Sequence, residues 1–275
     1  MSEKQAFADA LETIWDPDTR IGDMLKGKRG LVVGIANEHS IAYGCADKLR
    51  AFGAEIAVTY FNDKARQVVE PLAAGLDASL LLPLDVEKEG QLEAVFERIR
   101  AEWGRLDFVV HSIAFAPGAD LHGRVIECSA EGFARAMTVS CHSFLRMAHL
   151  AEPLMDRGGC LVTMSYYGAD KVVGRYNMMG PVKAALEASV RYAASELAPK
   201  GIRTFAVSPG PLKTRAASGI AAFDELVDDA VRRAPAKRLI EIAEIGRMVA
   251  FLVSGASSGM TGETLYVDGG LHHVA

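Results

Sequence analysis

Gly159-Cys-Leu-Val-Thr-Met-Ser-Tyr166 is followed, after nine intervening residues, by Tyr176-Asn-Met-Met-Gly-Pro-Val-Lys183. The first run is almost unbroken apolar sequence of strand length, as expected of a strand buried on both faces. From about Tyr176 to Leu197 the spacing becomes helical. The junction predicts a parallel strand that feeds a long covering helix. Tyr176 and Lys183 are seven apart, nearly two turns at 3.6 residues per turn, so a continuous helix puts both on one face. An ammonium there would favour the phenol as a donor to a developing oxyanion. Taken alone, the pair reads as readily as a half-buried helix tyrosine and a surface lysine. The rest of the chain has to decide.

Outward from this junction, strands and helices alternate. Arg29–Ile35, Glu55–Phe61, Ser79–Asp85, Leu106–Ser112, Gly201–Ser208 and Glu263–Asp268 read as further strands. Helical patterns fall at Ser40–Phe52, Ala65–Leu76, Lys88–Trp103, Ser129–Met155 and Ile242–Ser254. The pattern predicts a single α/β domain over residues 28–275, a doubly wound parallel sheet of about seven strands covered on both faces. Residues 1–27 form an extension. Its Ala6, Phe7, Ala10, Leu11, Ile14 and Trp15 repeat at helical spacing up to Asp16-Pro17, which predicts a short amphipathic helix packed on the body or on a neighbouring subunit. Residues 211–240, punctuated by Pro and Gly and carrying a helical pattern at Ala221–Arg233, are the candidate lid over a site that must exclude water.

Composition narrows the function. Of 275 residues half are hydrophobic, enough for one core without disulfides. Cys45, Cys128, Cys141 and Cys160 form no CxxC pair and have no ligand-like spacing to histidine. Buried free thiols are expected, with no metal and a cytoplasmic location. No apolar run reaches membrane-spanning length, and the first residues lack a signal-peptide pattern. A net charge of −5 disfavours a general nucleic-acid binder.

In such sheets ligands bind beyond the carboxyl ends of the strands. The first strand ends in Gly34-Ile-Ala-Asn-Glu-His-Ser-Ile-Ala-Tyr-Gly44, which departs from GxGxxG but keeps its physical parts. Gly34 permits a tight turn, Ser40 offers a hydroxyl to phosphate, and the helix after it offers free N–H groups. An ordinary strand–helix connection is the competing reading. Phe61-Asn62-Asp63-Lys64 ends the second strand, where the adenosine ribose would lie. The absence of arginine tilts the choice towards NADH, while Lys64 leaves NADPH open. Asp85 either accepts from an adenine amino group or caps the next helix. His111 is expected to be a structural hydrogen-bonder.

These residues together resemble the short-chain dehydrogenase/reductase superfamily, and within it the divergent branch of bacterial NAD(P)H-dependent enoyl-acyl-carrier-protein reductases. The similarity covers about Lys28 to Leu271. It rests on Gly34-x5-Ser40-Ile-Ala-x-Gly44, Asp85-Val86, His111-Ser-Ile-Ala-Phe-Ala-Pro117, Ser165-Tyr166, Tyr176-x6-Lys183, Gly210-Pro-Leu-Lys-Thr214, Ala216-Ala-Ser-Gly-Ile220 and Val267-Asp-Gly-Gly270. Ordinary members carry Tyr-x3-Lys; here that position is Met179. The resemblance implies a Rossmann-type fold and reduction of a trans-2-enoyl thioester in fatty acid synthesis. Tyr176 would donate to the thioester oxygen, Lys183 would hold the nicotinamide ribose, and Tyr166 would assist. It implies cofactor contacts at Gly34, Ser40, Ile41, Phe61, Asp85, Val86, Ile113, Lys183, Leu212, Lys213, Thr214, Arg215 and Ala216, and substrate contact at Ala116. It also implies an acyl carrier protein as partner and a homotetramer.

Three departures stand out. Phe61 replaces a polar ribose partner. Pro181 lies between the tyrosine and the lysine, which is tolerable only in a helix's first turn. The lid carries Phe223-Asp-Glu-Leu-Val-Asp-Asp229, where the family tends to be basic. Acid facing an acidic carrier predicts weak or relocated docking, or a specialised or CoA-linked substrate; Arg215, Arg232, Arg233, Lys237 and Arg238 are candidates for a displaced basic patch. Two other functions compete: a carbonyl reductase or alcohol dehydrogenase of the same superfamily, and a non-catalytic nucleotide sensor.

Overall fold

The computed structural model describes residues 23–212 and 223–274. The amphipathic helix expected at Ala6–Trp15 lies outside them. Seven strands build one sheet: β1 (Arg29–Val33), β2 (Glu55–Tyr60), β3 (Leu80–Pro83), β4 (Phe108–His111), β5 (Gly159–Met164), β6 (Ile202–Pro209) and β7 (Thr264–Val267). Their order is β3-β2-β1-β4-β5-β6-β7, and every pairing is parallel. Successive strands step outward from β1 in one direction and, after β3, from β4 in the other. The switch point therefore lies between β1 and β4, where Val33 pairs with His111.

The period of two sorts each strand between two cores. Val32, Val58, Val110, Val162 and Val207 face α1 (Ile41–Ala51), α2 (Asp63–Gly75) and the helix Ile242–Val253. Leu31, Val33, Ala57, Val109, Leu161 and Ala206 face the other layer. That layer contains α3 (Gln91–Trp103) and, beyond the short α4 (Gly118–His122), the helices α5 (Ala130–Met137), α6 (Ser143–Ala151) and α7 (Met179–Leu197). The lid helix α8 (Phe223–Arg233) and α9 (Ile242–Val253) complete the set.

Two helix boundaries differ from the sequence reading. The expected helix Ser129–Met155 is interrupted by a π turn at Thr138–His142. The Ser143 hydroxyl donates back to the Val139 carbonyl at 2.6 Å, a bond that competes with the regular ladder. The second difference concerns the site. α7 begins at Met179, so Tyr176 precedes the helix rather than lying on it. Pro181 then falls in the first turn, where its missing N–H costs nothing. Tyr176 is held by a turn flanked by two left-handed residues, Arg175 (φ 66°) and Asn177 (φ 46°). Asparagine tolerates that region and arginine does so at some cost.

Candidate active site

At the exit of β1, Gly34 has φ 114°, and a Cβ there would lie 2.1 Å from the Ser112 carbonyl oxygen. Only glycine lets the loops after β1 and β4 approach this closely. Ser40 does not do what its position suggested. Its hydroxyl accepts the Ala36 and Asn37 N–H groups, both at 2.9 Å, and donates to the Asn37 carbonyl at 2.6 Å. The hydroxyl is committed to folding the loop. It makes no cap bond to α1, which leaves the helix's first amides, at Ile41 and after, open to an anion. Gly44 serves packing: a Cβ would meet Ile242 of α9 at 2.7 Å.

The adenine side is built from the ends of β2 and β3. Phe61 is 56 % exposed, and Asn62 next to it caps α2 by accepting from Ala65 N–H at 2.9 Å. Asp85 accepts the Glu87 N–H at 3.0 Å and α3 starts at Gln91, so Asp85 closes a local turn rather than capping the helix. Val86 is buried. Ile113, half-buried, flanks Gly34.

Ala116, Tyr166 and Tyr176 come together in one apolar cluster with Met178, Met179 and Val182. The two tyrosine rings meet edge to face at 4.8 Å between centroids. Gly168 makes room: a Cβ there would lie 2.6 Å from the Tyr176 ring. Asn177 ties the turn to α4 by donating to the Leu121 carbonyl at 2.7 Å. Burial, with the Glu187 carboxylate adding to it, pushes the Tyr176 phenol well above its ordinary value. This group is a protonated donor, not a base. The Tyr166 hydroxyl is buried without a hydrogen-bond partner among the described residues. A buried orphan hydroxyl is costly unless a ligand completes it.

Lys183 is buried, and its Nζ donates to the Met164 carbonyl at 2.7 Å. Burial pulls its ammonium down to about 8, opposed by Cys141 and Glu187.

His111 is structural, as expected. Nδ1 lies 2.8 Å from Thr163 Oγ1 and Nε2 2.7 Å from Ser143 Oγ. Ser143 spends its proton on Val139, so Nε2–H donates to it and Nδ1 accepts from Thr163. Burial, then Lys183, holds the imidazole down at about 3, neutral.

Several contributors were missed. Ser140, in the π turn, accepts the Phe115 N–H at 2.9 Å and donates to the Phe115 carbonyl at 3.1 Å, pinning the Ala116 loop. Nothing in a serine within a helical pattern signals this. Glu187 did leave a signal: it stands beside Val182, Leu186 and Val190 in the buried face of α7, a charge on the wrong side of an amphipathic helix.

On the lid, Val227 and Ala230 are buried, and Ala230 packs with Ala234 and Leu271 against Tyr167 and Val274. The displaced basic patch does not form as imagined. Arg232 and Arg233 both pair with Asp229, Arg233 at 3.1 Å, and Arg238 binds Glu244 through both nitrogens at 2.8 Å. Lys237 donates to the Arg232 carbonyl at 2.7 Å. Leu212 rests half-buried against the core. Lys213, Thr214, Arg215 and Ala216 lie outside the described residues.

The residues present fit a dinucleotide: a glycine-only turn, open helix amides and an orphan hydroxyl share the carboxyl edge of the sheet. Fold and site define a member of the short-chain dehydrogenase/reductase superfamily. Within it, the chain belongs to the enoyl-(acyl carrier protein) reductase family, whose profile matches residues 34–272. It is 46 % identical over 251 residues to "Enoyl-[acyl-carrier-protein] reductase [NADH] 1" of Rhizobium meliloti, covering 91 % of this chain and 92 % of the relative. The crystal structure of an enoyl-(acyl-carrier-protein) reductase from Anaplasma phagocytophilum in complex with NAD superposes with TM-score 0.89 at 42 % identity, over 93 % of this chain and 98 % of that one. The Bacillus cereus enoyl-acyl carrier protein reductase with NADP+ and indole naphthyridinone gives TM-score 0.90 at 40 % identity, over 92 % and 99 %.

Proposed function

We propose that this chain is an NADH-dependent enoyl-acyl-carrier-protein reductase of fatty acid synthesis. One observation carries the reading: a fully protonated, buried Tyr176 phenol packed on Tyr166 and Ala116 beside the exit of β5. NADH, when bound along this edge, would supply the hydride that reduces the double bond of a trans-2-enoyl thioester. The chain's part is to meet the charge that gathers on the thioester oxygen. Tyr176 donates to that oxygen more strongly in the transition state than in the ground state, which is where acceleration arises. Tyr166 contributes its orphan hydroxyl to the same site. Lys183, with one donor on Met164, offers its others to the ribose hydroxyls. Gly34, the first amides of α1 from Ile41, and Asp85, Val86, Ile113 and Leu212 line the cofactor's path, and the family resemblance adds Lys213, Thr214, Arg215 and Ala216 to the cofactor contacts. Residues 211–240 are the lid.

Carbonyl reduction is disfavoured because Met179 stands four residues before Lys183, where a ketone-reducing phenol would belong. In an enoyl thioester the hydride-accepting carbon and the oxygen are two atoms further apart, which suits an earlier tyrosine. The expected carrier preference is weak: Arg232 and Arg233 share the Asp229 carboxylate and Arg238 pairs with Glu244, which leaves fewer free cations near the lid. A homotetramer in the cytoplasm completes the reading, and no described helix is long and apolar enough to cross a membrane. The test is loss of NADH absorbance with crotonyl and longer enoyl thioesters, repeated with NADPH. Turnover of ketones or secondary alcohols without enoyl reduction would overturn the assignment.

A further inference from the structure

Two adjacent residues at the exit of β5 are each grasped by α7. Lys183 donates to the Met164 carbonyl at 2.7 Å. Ser165 donates its hydroxyl to Glu187 Oε1 at 2.5 Å. Lys183 and Glu187 stand four apart, one turn along α7, so both reach the strand from the same helix face. The next residue is Tyr166, whose ring meets Tyr176. Glu187 is itself buried, 9 % exposed, and a buried carboxylate is costly unless it is compensated. Packing alone would have placed an aliphatic residue here, as it does at Val182, Leu186 and Val190.

We propose that Glu187 is a positioning residue for the reduction: through Ser165 it fixes the exit of β5, from the same face of α7 on which Lys183 holds the Met164 carbonyl. The inference rests on the function proposed above. The groups around Glu187 are Ser165, Thr264 on β7, Arg191 one turn further along α7, and Asp170 after β5. Lys183, Tyr176 and Tyr266 in turn feel its charge. Burial raises the Glu187 carboxyl, while Ser165, Thr264 and Arg191 act against that. The Ser165 donor and the neighbouring cations mark the carboxylate as the working form.

The experiment compares wild type, Glu187→Ala, Glu187→Gln and Ser165→Ala. It measures kcat, KM for the enoyl thioester, Tm, and the pH dependence of both turnover and NADH binding. Glu187→Ala should lower kcat by about tenfold or more, with KM changed less than about threefold. Glu187→Gln, which retains an acceptor for Ser165, should recover most of that kcat. In both Glu187 variants the alkaline limb should move down by about one pH unit, because Lys183 loses an opposite charge. Ser165→Ala should lower kcat without moving the limb. An unchanged kcat and pH profile, or a fall in Tm alone, overturns the proposal. NADH binding needs no turnover, so its pH dependence tests Glu187 even if wild type reduces no enoyl thioester; that result would sink only the assigned reaction.

Discussion

At the residue scale, function depends on two side chains whose protonation is set by burial in opposite senses. Burial keeps the Tyr176 phenol protonated and loosens the Lys183 proton. Tyr176→Phe removes the donor and leaves the ring. Steady-state assays should show kcat reduced by roughly 10²–10³-fold, the usual cost of one oxyanion donor, with NADH affinity, read by fluorescence quenching, within about twofold. Lys183 is charged below about 8 and neutral above it. kcat/KM should therefore hold through neutral pH and fall as pH rises through about 8. A profile flat to pH 10 would mean that the ammonium does not matter or that its proton is held more tightly. The tyrosine and lysine were legible in sequence as residue types at a suggestive spacing. The geometry joining them was not: the seven-residue spacing implied a shared helix, while the left-handed residues Arg175 and Asn177 hold Tyr176 in a turn before the helix, which begins at Met179.

At the scale of elements, the site depends on how closely two helices pack. A Cβ on Gly246 of α9 would lie 2.3 Å from the Gly44 carbonyl of α1, and one on Gly44 would lie 2.7 Å from Ile242. α1 also presents its first amides to the cofactor, so a wedge between these helices displaces the phosphate end. Gly246→Leu should cost about 1–3 kcal/mol by overpacking, seen as a lower denaturation midpoint. KM for NADH should rise in the folded protein while KM for the enoyl thioester changes little. Equal loss of both affinities would point to general unfolding. The strands and most helices were readable because a period of two or of 3.6 is written in consecutive residues. The π turn was not, since the i−4 bond of Ser143 and the reach of Ser140 to Phe115 depend on side-chain partners far away in sequence.

For the whole molecule, charge decides which thioester carrier is favoured. The net charge is −5, and near the lid Arg232 and Arg233 share the Asp229 carboxylate while Arg238 pairs with Glu244. Paired charges attract an acidic carrier weakly, and salt screens what remains. The ratio of kcat/KM for carrier-bound to CoA-bound enoyl thioesters should stay within about tenfold and change little between low and physiological salt. A large carrier preference that collapses with salt would place an effective basic surface elsewhere on the protein. The acidic run at 224–229 was plain in the sequence. That Arg232 and Arg233 both turn to Asp229, rather than form a patch of their own, was not.

From the sequence alone came the parallel sheet, the need for glycine at position 34 and the pairing of a tyrosine with a lysine, because each is a local pattern of residue type and period. Tertiary structure decided the tasks of the polar groups. Ser40 turned inward, Asp85 closed a turn, His111 became a neutral strut, and Glu187 reached Ser165 across the helix–sheet interface. Whether a hydroxyl or carboxylate faces a ligand or the protein depends on which donors and acceptors folding brings within about 3 Å of it, and most of those partners are distant in the chain.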